Sequence, residues 1–150
     1  VVTEFGTSKW KVIAGKPSLS CVGLPTLVTD TTLVTSCKPF SYLSTTGKIV
    51  FQDTFGKTEA MEQKTAVAQS GTLVAVSLNR QKGHDFWDTG SGQQVTARSV
   101  MVYDLLKERR TFSFELKPLP KSDLDYALSP EGSKLAVLSD RHVTVCSLLK

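Results

Sequence analysis

The stretch ALSPEGSKLAVLSDRHVTVCSLLK (residues 127–150) decides how the chain is read. Ser129-Pro130-Glu131-Gly132 places proline second in a four-residue turn, where its fixed φ is already correct, and glycine fourth. KLAVLSD (134–140) and HVTVCSLL (142–149) then alternate or run apolar and stop at turn formers, the pattern of short strands. The same texture recurs upstream in TLVAVSLNR (72–80), SVMVYDLL (99–106) and RTFSFELK (110–117), whereas helical periodicity is nearly absent. KTEAMEQK (57–64) is the one segment that might be taken for a helix, but it lacks an apolar stripe and is expected to be a short exposed turn or loop.

Working outward from this stretch uncovers a repeat. V-T-V-C-S-L-L-K at 143–150 answers V-M-V-Y-D-L-L-K at 100–107, 43 residues earlier, with five of eight positions identical. Upstream, ALSPEGSKLAVLSDR (127–141) answers AVAQSGTLVAVSLNR (66–80), each reading as strand, tight turn with Gly132 or Gly71, then strand. A fainter copy lies earlier: Thr32-Leu33-Val34 answers Thr72-Leu73-Val74, and KIVFQD (48–53) answers SVMVYD (99–104). The unit is strand, glycine turn, strand, loop, a third strand ending in Asp or Ser, and an outer strand such as 110–117. Repeats of about forty residues built from four antiparallel strands are β-propeller blades.

The S-P-E-G-S-K-L-A core resembles blades of the WD-repeat family, and is similar to those of periplasmic translocation-type propellers and of propellers attached to prolyl oligopeptidases. The resemblance implies an all-β, partial β-propeller of about three four-stranded antiparallel blades, the C-terminal blades of a longer propeller. Residues 1–23, including KWKVIAG, are expected as strands of a preceding blade, 24–65 as a blade, 66–117 as a blade with a long loop at 79–99, and 118–150 as a blade lacking its outer strand. A ring usually takes about four to eight blades, and an open stack leaves edges and apolar faces bare. The chain is therefore expected to be a piece of a longer propeller, or to be completed by a second copy or a partner; its start at Val1 instead of Met agrees.

GHDFWDTGSGQ (83–93) carries a Gly-His and a Trp-Asp pair, the two dipeptides that mark WD repeats. In that family the Trp-Asp pair ends the third strand, which the repeat places at Tyr103-Asp104 and Cys146-Ser147. Trp87-Asp88 lies sixteen residues earlier, inside the loop between second and third strands, so both dipeptides are coincidental. The family's bracing network of Trp, Asp, Ser or Thr and His is not carried over; Asp104 alone matches a position of it.

The loop offers function by position. In a four-stranded blade, second-to-third loops and blade-to-blade connections emerge on one face, which groups residues 81–98, KPFSYLSTTG (38–47) and KPLPKSD (117–123). Long loops on a rigid scaffold concentrate binding groups. His84, Phe86, Trp87, Phe40, Tyr42 and Lys121 are the expected interaction residues, with Gly71, Asp104, Ser129, Pro130 and Gly132 shaping the blades. Trp87 has two readings: a contact anchor, or a plug that pins its own loop to the blade.

Composition narrows the partner. The net charge is +4, but the 18 Lys and Arg are scattered, without the basic stripe and stacking aromatics that nucleic acid requires. No run of eighteen apolar residues spans a membrane, no signal peptide opens the chain, and the compartment stays open. Cys21, Cys37 and Cys146 lack C-x-x-C spacing and read as reduced thiols, with a Cys21–Cys37 pair in reserve for an exported chain. G-x-S-x-G, H-E-x-x-H and phosphate-cradling glycine motifs are missing; no catalytic residue, cofactor or metal is expected. His84-Asp85 with Asp88 is poor metal-ligand spacing, His142 reads as a blade-edge residue, and Asp123 and Asp125 are expected to bind backbone N–H groups at a turn. The expected function is a non-catalytic scaffold for a protein or peptide. The alternative is the substrate-gating or positioning part of a larger enzyme, such as a prolyl oligopeptidase-like hydrolase.

Overall fold

A computed structural model describes residues 3–6, 9–12, 25–29, 32–35, 40–44, 49–56, 59–82, 94–121 and 124–148. Every regular element among them is a strand. β1 (Thr3–Gly6) and β2 (Lys9–Val12) pair with each other. β3 (Pro25–Thr29), β4 (Thr32–Thr35), β5 (Phe40–Ser44) and β6 (Ile49–Asp53) form a four-stranded sheet in that order. β7 (Glu59–Val67), β8 (Leu73–Gln81), β9 (Val95–Asp104) and β10 (Arg109–Glu115) form a second. β11 (Asp125–Leu128), β12 (Lys134–Ser139) and β13 (His142–Ser147) make a three-stranded sheet. All pairings are antiparallel between strands adjacent in sequence.

The central strands show why these residues stack sheets. Successive side chains on a strand point to opposite faces, so β8 divides itself between two cores. Val74, Val76 and Leu78 join Met101 and Tyr103 of β9 and meet Val34 and Phe40 of the first sheet. Ala75 joins Val100 and Val102 and meets Leu124, Tyr126, Leu135 and Val137 of the third. A half-buried strand needs one apolar face; a strand between two sheets needs both, which is why 73–78 reads as nearly continuous apolar sequence. Each fully buried Val or Leu contributes about 1.5–3 kcal/mol.

The glycine turns repeat their geometry. Gly71 N–H donates to the Ala68 carbonyl and Gly132 N–H to the Ser129 carbonyl, both at 2.8 Å. Gly71 and Gly132 have φ of 67° and 74°, a region in which a side chain is strained. The two turns also touch: Ser70 N–H donates to the Pro130 carbonyl at 3.2 Å.

Three expectations are corrected. The described part of KTEAMEQK, residues 59–64, is not a turn or loop, because Glu59–Val67 is the first strand of the second sheet. Its pairing with β8 jumps between Met61 and Thr65, and that bulge breaks the alternation by which a strand is recognised. Within KIVFQD, Ile49–Asp53 is the fourth strand of its sheet and not the third, because Phe40–Ser44 already occupies the third place. The long loop is shorter than 79–99: β8 and β9 stay paired out to Gln81 and Val95, leaving residues 82–94, closed at the base by Lys82 N–H donating to the Gln94 carbonyl at 2.9 Å.

Candidate functional site

The first and second sheets are fastened at Tyr103. Its ring is fully buried and stacks on Phe40 with centroids 4.2 Å apart and planes at 16°, while its hydroxyl donates to Asp53 Oδ2 at 2.8 Å. Burial first, and then the bond to Asp53 and its charge, hold the phenol well above the ordinary tyrosine range; the nearby Arg110 charge opposes this. Arg110 Nη1 lies 4.0 Å from the same Asp53 oxygen and donates to Met101 Sδ at 3.4 Å. The second and third sheets have a related fastening. Tyr126 donates its hydroxyl to the Lys64 carbonyl, and the Lys64 ammonium pairs with Asp125 and sits 5.5 Å above the Tyr126 ring.

A groove of about 150 Å³ opens on the second sheet at the end where residues 82–94 leave it. Leu78, Ala97 and Met101 supply apolar surface, Ser99 and Ser113 add hydroxyls, and Glu59, Arg80, Arg110 and Glu115 bring charge. Register explains the grouping: Ser113 faces Met101, Glu115 faces Ser99, and Arg80 lies between Ala97 and Glu59 on its two neighbouring strands. Of the four charged groups, Glu59 and Arg80 pair with each other, while Arg110 and Glu115 face partners outside the lining. Glu59 bridges Arg80 at 3.2 Å and accepts Gly56 N–H at 2.8 Å, and Glu115 meets Lys117 at 3.4 Å. The exposed lining of the groove is mainly polar, since Leu78 and Met101 are themselves buried. Among the described residues no three His, Cys, Asp or Glu side chains converge to hold a metal ion.

The predicted site residues divide sharply. His84, Phe86 and Trp87 lie outside the described residues, as do Asp85, Asp88 and Asp123. Lys121 has an exposed side chain, and its N–H donates to both Asp140 carboxylate oxygens, at 3.0 and 3.2 Å. This ties the blade-to-blade connection to the β12–β13 turn, so these two segments share one end of the third sheet. Asp140 and Arg141 form that turn with φ of 47° and 68°, both positive as the favoured two-residue hairpin requires. Phe40 and Tyr42 are corrected: both belong to strand β5, Phe40 is fully buried against Tyr103, and Tyr42 packs half-buried on the same core. Neither is an exposed loop anchor.

Asp104 closes the β9–β10 turn. Its Oδ1 accepts the N–H groups of Leu106 and Lys107 at 3.1 and 3.0 Å, and Oδ2 lies 3.1 Å from the Lys107 ammonium. Burial by itself raises this carboxyl, but the bonds and charge of Lys107 and the Leu106 N–H outweigh it, so it sits below the ordinary aspartate range. Asp125 accepts Tyr126 N–H at 2.7 Å in addition to pairing with Lys64.

The sheet stack is similar, over 99% of this chain, to the crystal structure of Kluyveromyces marxianus Hsv2, with a TM-score of 0.63 and 18% sequence identity. Hsv2 is a β-propeller. The chain is therefore part of a β-propeller. Its four-stranded sheets are blades, and the three-stranded sheet is a blade without its outer strand. The chain spans 41% of the length of that Hsv2. Kluyveromyces lactis Hsv2 aligns over 84% of this chain and 48% of its own, at 18% identity and a TM-score of 0.33. No protein-family model and no curated protein matches the sequence.

Sequence reasoning missed the groove and both tyrosine fastenings. One signal was present: a tyrosine within the apolar run V-M-V-Y must find a partner for its hydroxyl when buried. Nothing local points to Asp53, 50 residues away.

Proposed function

We propose that this segment is a non-catalytic propeller scaffold of WD-like repeats, and that it holds a protein or peptide on the face bearing residues 82–94, the 116–124 connection and the Asp140-Arg141 turn. The observation that carries this reading is the groove at the base of residues 82–94, whose walls are paired strands and in which Glu59 and Arg80 already pair with each other. His84, Phe86 and Trp87 supply adaptable contacts from the loop, and Lys121 supplies a cation from the connection. A groove walled by paired strands and adjoining a loop with aromatic residues matches how interfaces combine a pocket with a few large anchors.

The experiment is selection of binding peptides from a displayed library, followed by titration against Trp87→Ala and the groove-filling Ala97→Trp. Either substitution is expected to weaken a selected peptide at least about tenfold, roughly 1.4 kcal/mol, with little change in melting temperature. Unchanged affinity in both variants would overturn the assignment. A hydrolase domain with its serine motif in sequence flanking this segment would replace the scaffold with the substrate-positioning enzyme reading.

A further inference from the structure

The groove owes its existence to a mismatch of strand lengths. β8 and β9 run nine and ten residues, whereas β4 and β5 of the first sheet run four and five. Val34 and Phe40 of the shorter strands pack on the half of that face carrying Val74, Val76, Met101 and Tyr103. Further along the same face, strand alternation brings up Ser99, Ala97 and Arg80, and these positions are half-buried or exposed.

Charge is distributed unevenly along this trough. β10 forms one wall: Arg110 stands opposite Tyr103, Ser113 opposite Met101 and Glu115 opposite Ser99. Tyr103 and Ser99 are four residues apart on β9, so at about 3.4 Å per residue the cation and the carboxylate are rooted about 14 Å apart, with a serine half-way between. At the far end Glu59 and Arg80 neutralise each other at 3.2 Å. Arg110 and Glu115 have no such partner within the lining: Arg110 lies 4.0 Å from Asp53, and Glu115 meets Lys117 at 3.4 Å. Their side chains are 48% and 51% exposed, and exposed pairs of this kind contribute little, so both charges are available to a partner.

We propose that the groove selects an extended peptide segment carrying an acidic and a basic side chain four residues apart, the acid meeting Arg110 and the base meeting Glu115. This rests on the peptide-binding reading of the groove given above. In an extended chain, residues i, i+2 and i+4 face the same side. Their spacing matches that of Arg110, Ser113 and Glu115, and the middle residue stands over the Ser113 hydroxyl. The two end charges fix spacing and sign but not chain direction, so either order of acid and base satisfies them. A segment with two acids or two bases brings one like charge against the wall, and that repulsion supplies the discrimination.

The test is a displayed library of random nine-residue peptides selected against the full chain at low salt, where exposed charges are least screened. Binders are retained only if Ala97→Trp abolishes their binding, so that each occupies the groove. Among them, acid and base four residues apart are expected at least about fivefold more often than two acids or two bases at that spacing, or than acid and base two apart. Selection against Glu115→Lys is expected to turn the preference to two acids, and Glu115→Gln to remove the requirement for the base; melting temperatures report that both variants fold. Groove-dependent binders without this combination of charge and spacing, or with the same preference on Glu115→Lys, overturn the proposal and leave the peptide-binding reading standing. A library that returns no binder sensitive to Ala97→Trp overturns both.

Discussion

Replacing Tyr103 with phenylalanine deletes one oxygen and isolates the bond that fastens the first two blades. The hydroxyl donates to a carboxylate at 2.8 Å, and hydrogen bonds to charged groups contribute about 1.5–3 kcal/mol. Two features reduce the net loss. The Asp53 side chain keeps 22% of its exposure, and Arg110 lies 4.0 Å away, so the carboxylate released by the substitution is rehydrated and still faces a cation. Phenylalanine also retains the stack on Phe40. The expected cost is therefore about 1–2 kcal/mol, which at this chain length lowers the melting temperature by about 2–8 °C. Tyr103→Ala, which also removes the ring from a fully buried site, is expected to cost about 3–5 kcal/mol. Urea unfolding of Tyr103→Phe, Asp53→Ala and the double variant measures the pair directly as a coupling energy. If the phenylalanine variant stays within about 0.5 kcal/mol of the parent and the coupling is near zero, the fastening is a contact without energetic consequence, and the account of how the blades are joined is wrong.

Because burial and Asp53 raise the Tyr103 phenol above its unfolded value, its contribution is complete below about pH 10 and is lost as pH climbs from there towards the folded value. The alkaline fall in stability should therefore be shallower in Tyr103→Phe, as read from melting temperatures between neutral and strongly alkaline pH. Asp104 has the opposite sign. Its lowered carboxyl contributes above the ordinary aspartate value and loses that contribution as pH falls through the folded one, so Asp104→Asn should destabilise at neutral pH and converge with the parent in acid. Gly132→Ala is expected to cost about 1–2 kcal/mol for its left-handed φ, with an added Cβ only 2.7 Å from Leu73 Cδ1; Gly71→Ala at φ 67° tests the strain by itself. Equal stability of Gly132→Ala and the parent in denaturant titration would show that the turn relaxes without cost.

What the sequence determined by itself was everything set by neighbours within a few residues. Ser129-Pro130-Glu131-Gly132 encodes its own turn through the fixed φ of proline and the freedom of glycine, and the alternation in 134–147 encodes strands because side chains on a pleat repeat every two residues. Recurrence of the glycine turn 61 residues apart, at Gly71 and Gly132, and of the following strand 43 residues apart, at 100–107 and 143–150, was enough to name blades. Where alternation was broken, the reading failed: the bulge in β7 hid a strand. Phe40 read as a loop residue because the first blade's repeat is faint, and one strand's displacement turned a supposed surface anchor into core. Only the tertiary structure decided which face of each strand meets which neighbour, that Tyr103 reaches Asp53 and Tyr126 reaches Lys64, and that a groove opens at the base of residues 82–94. The physical reason is range: turn chemistry acts across a few bonds, whereas these contacts depend on stacking sheets from distant parts of the chain, where a one-residue change of register exchanges the buried and exposed faces.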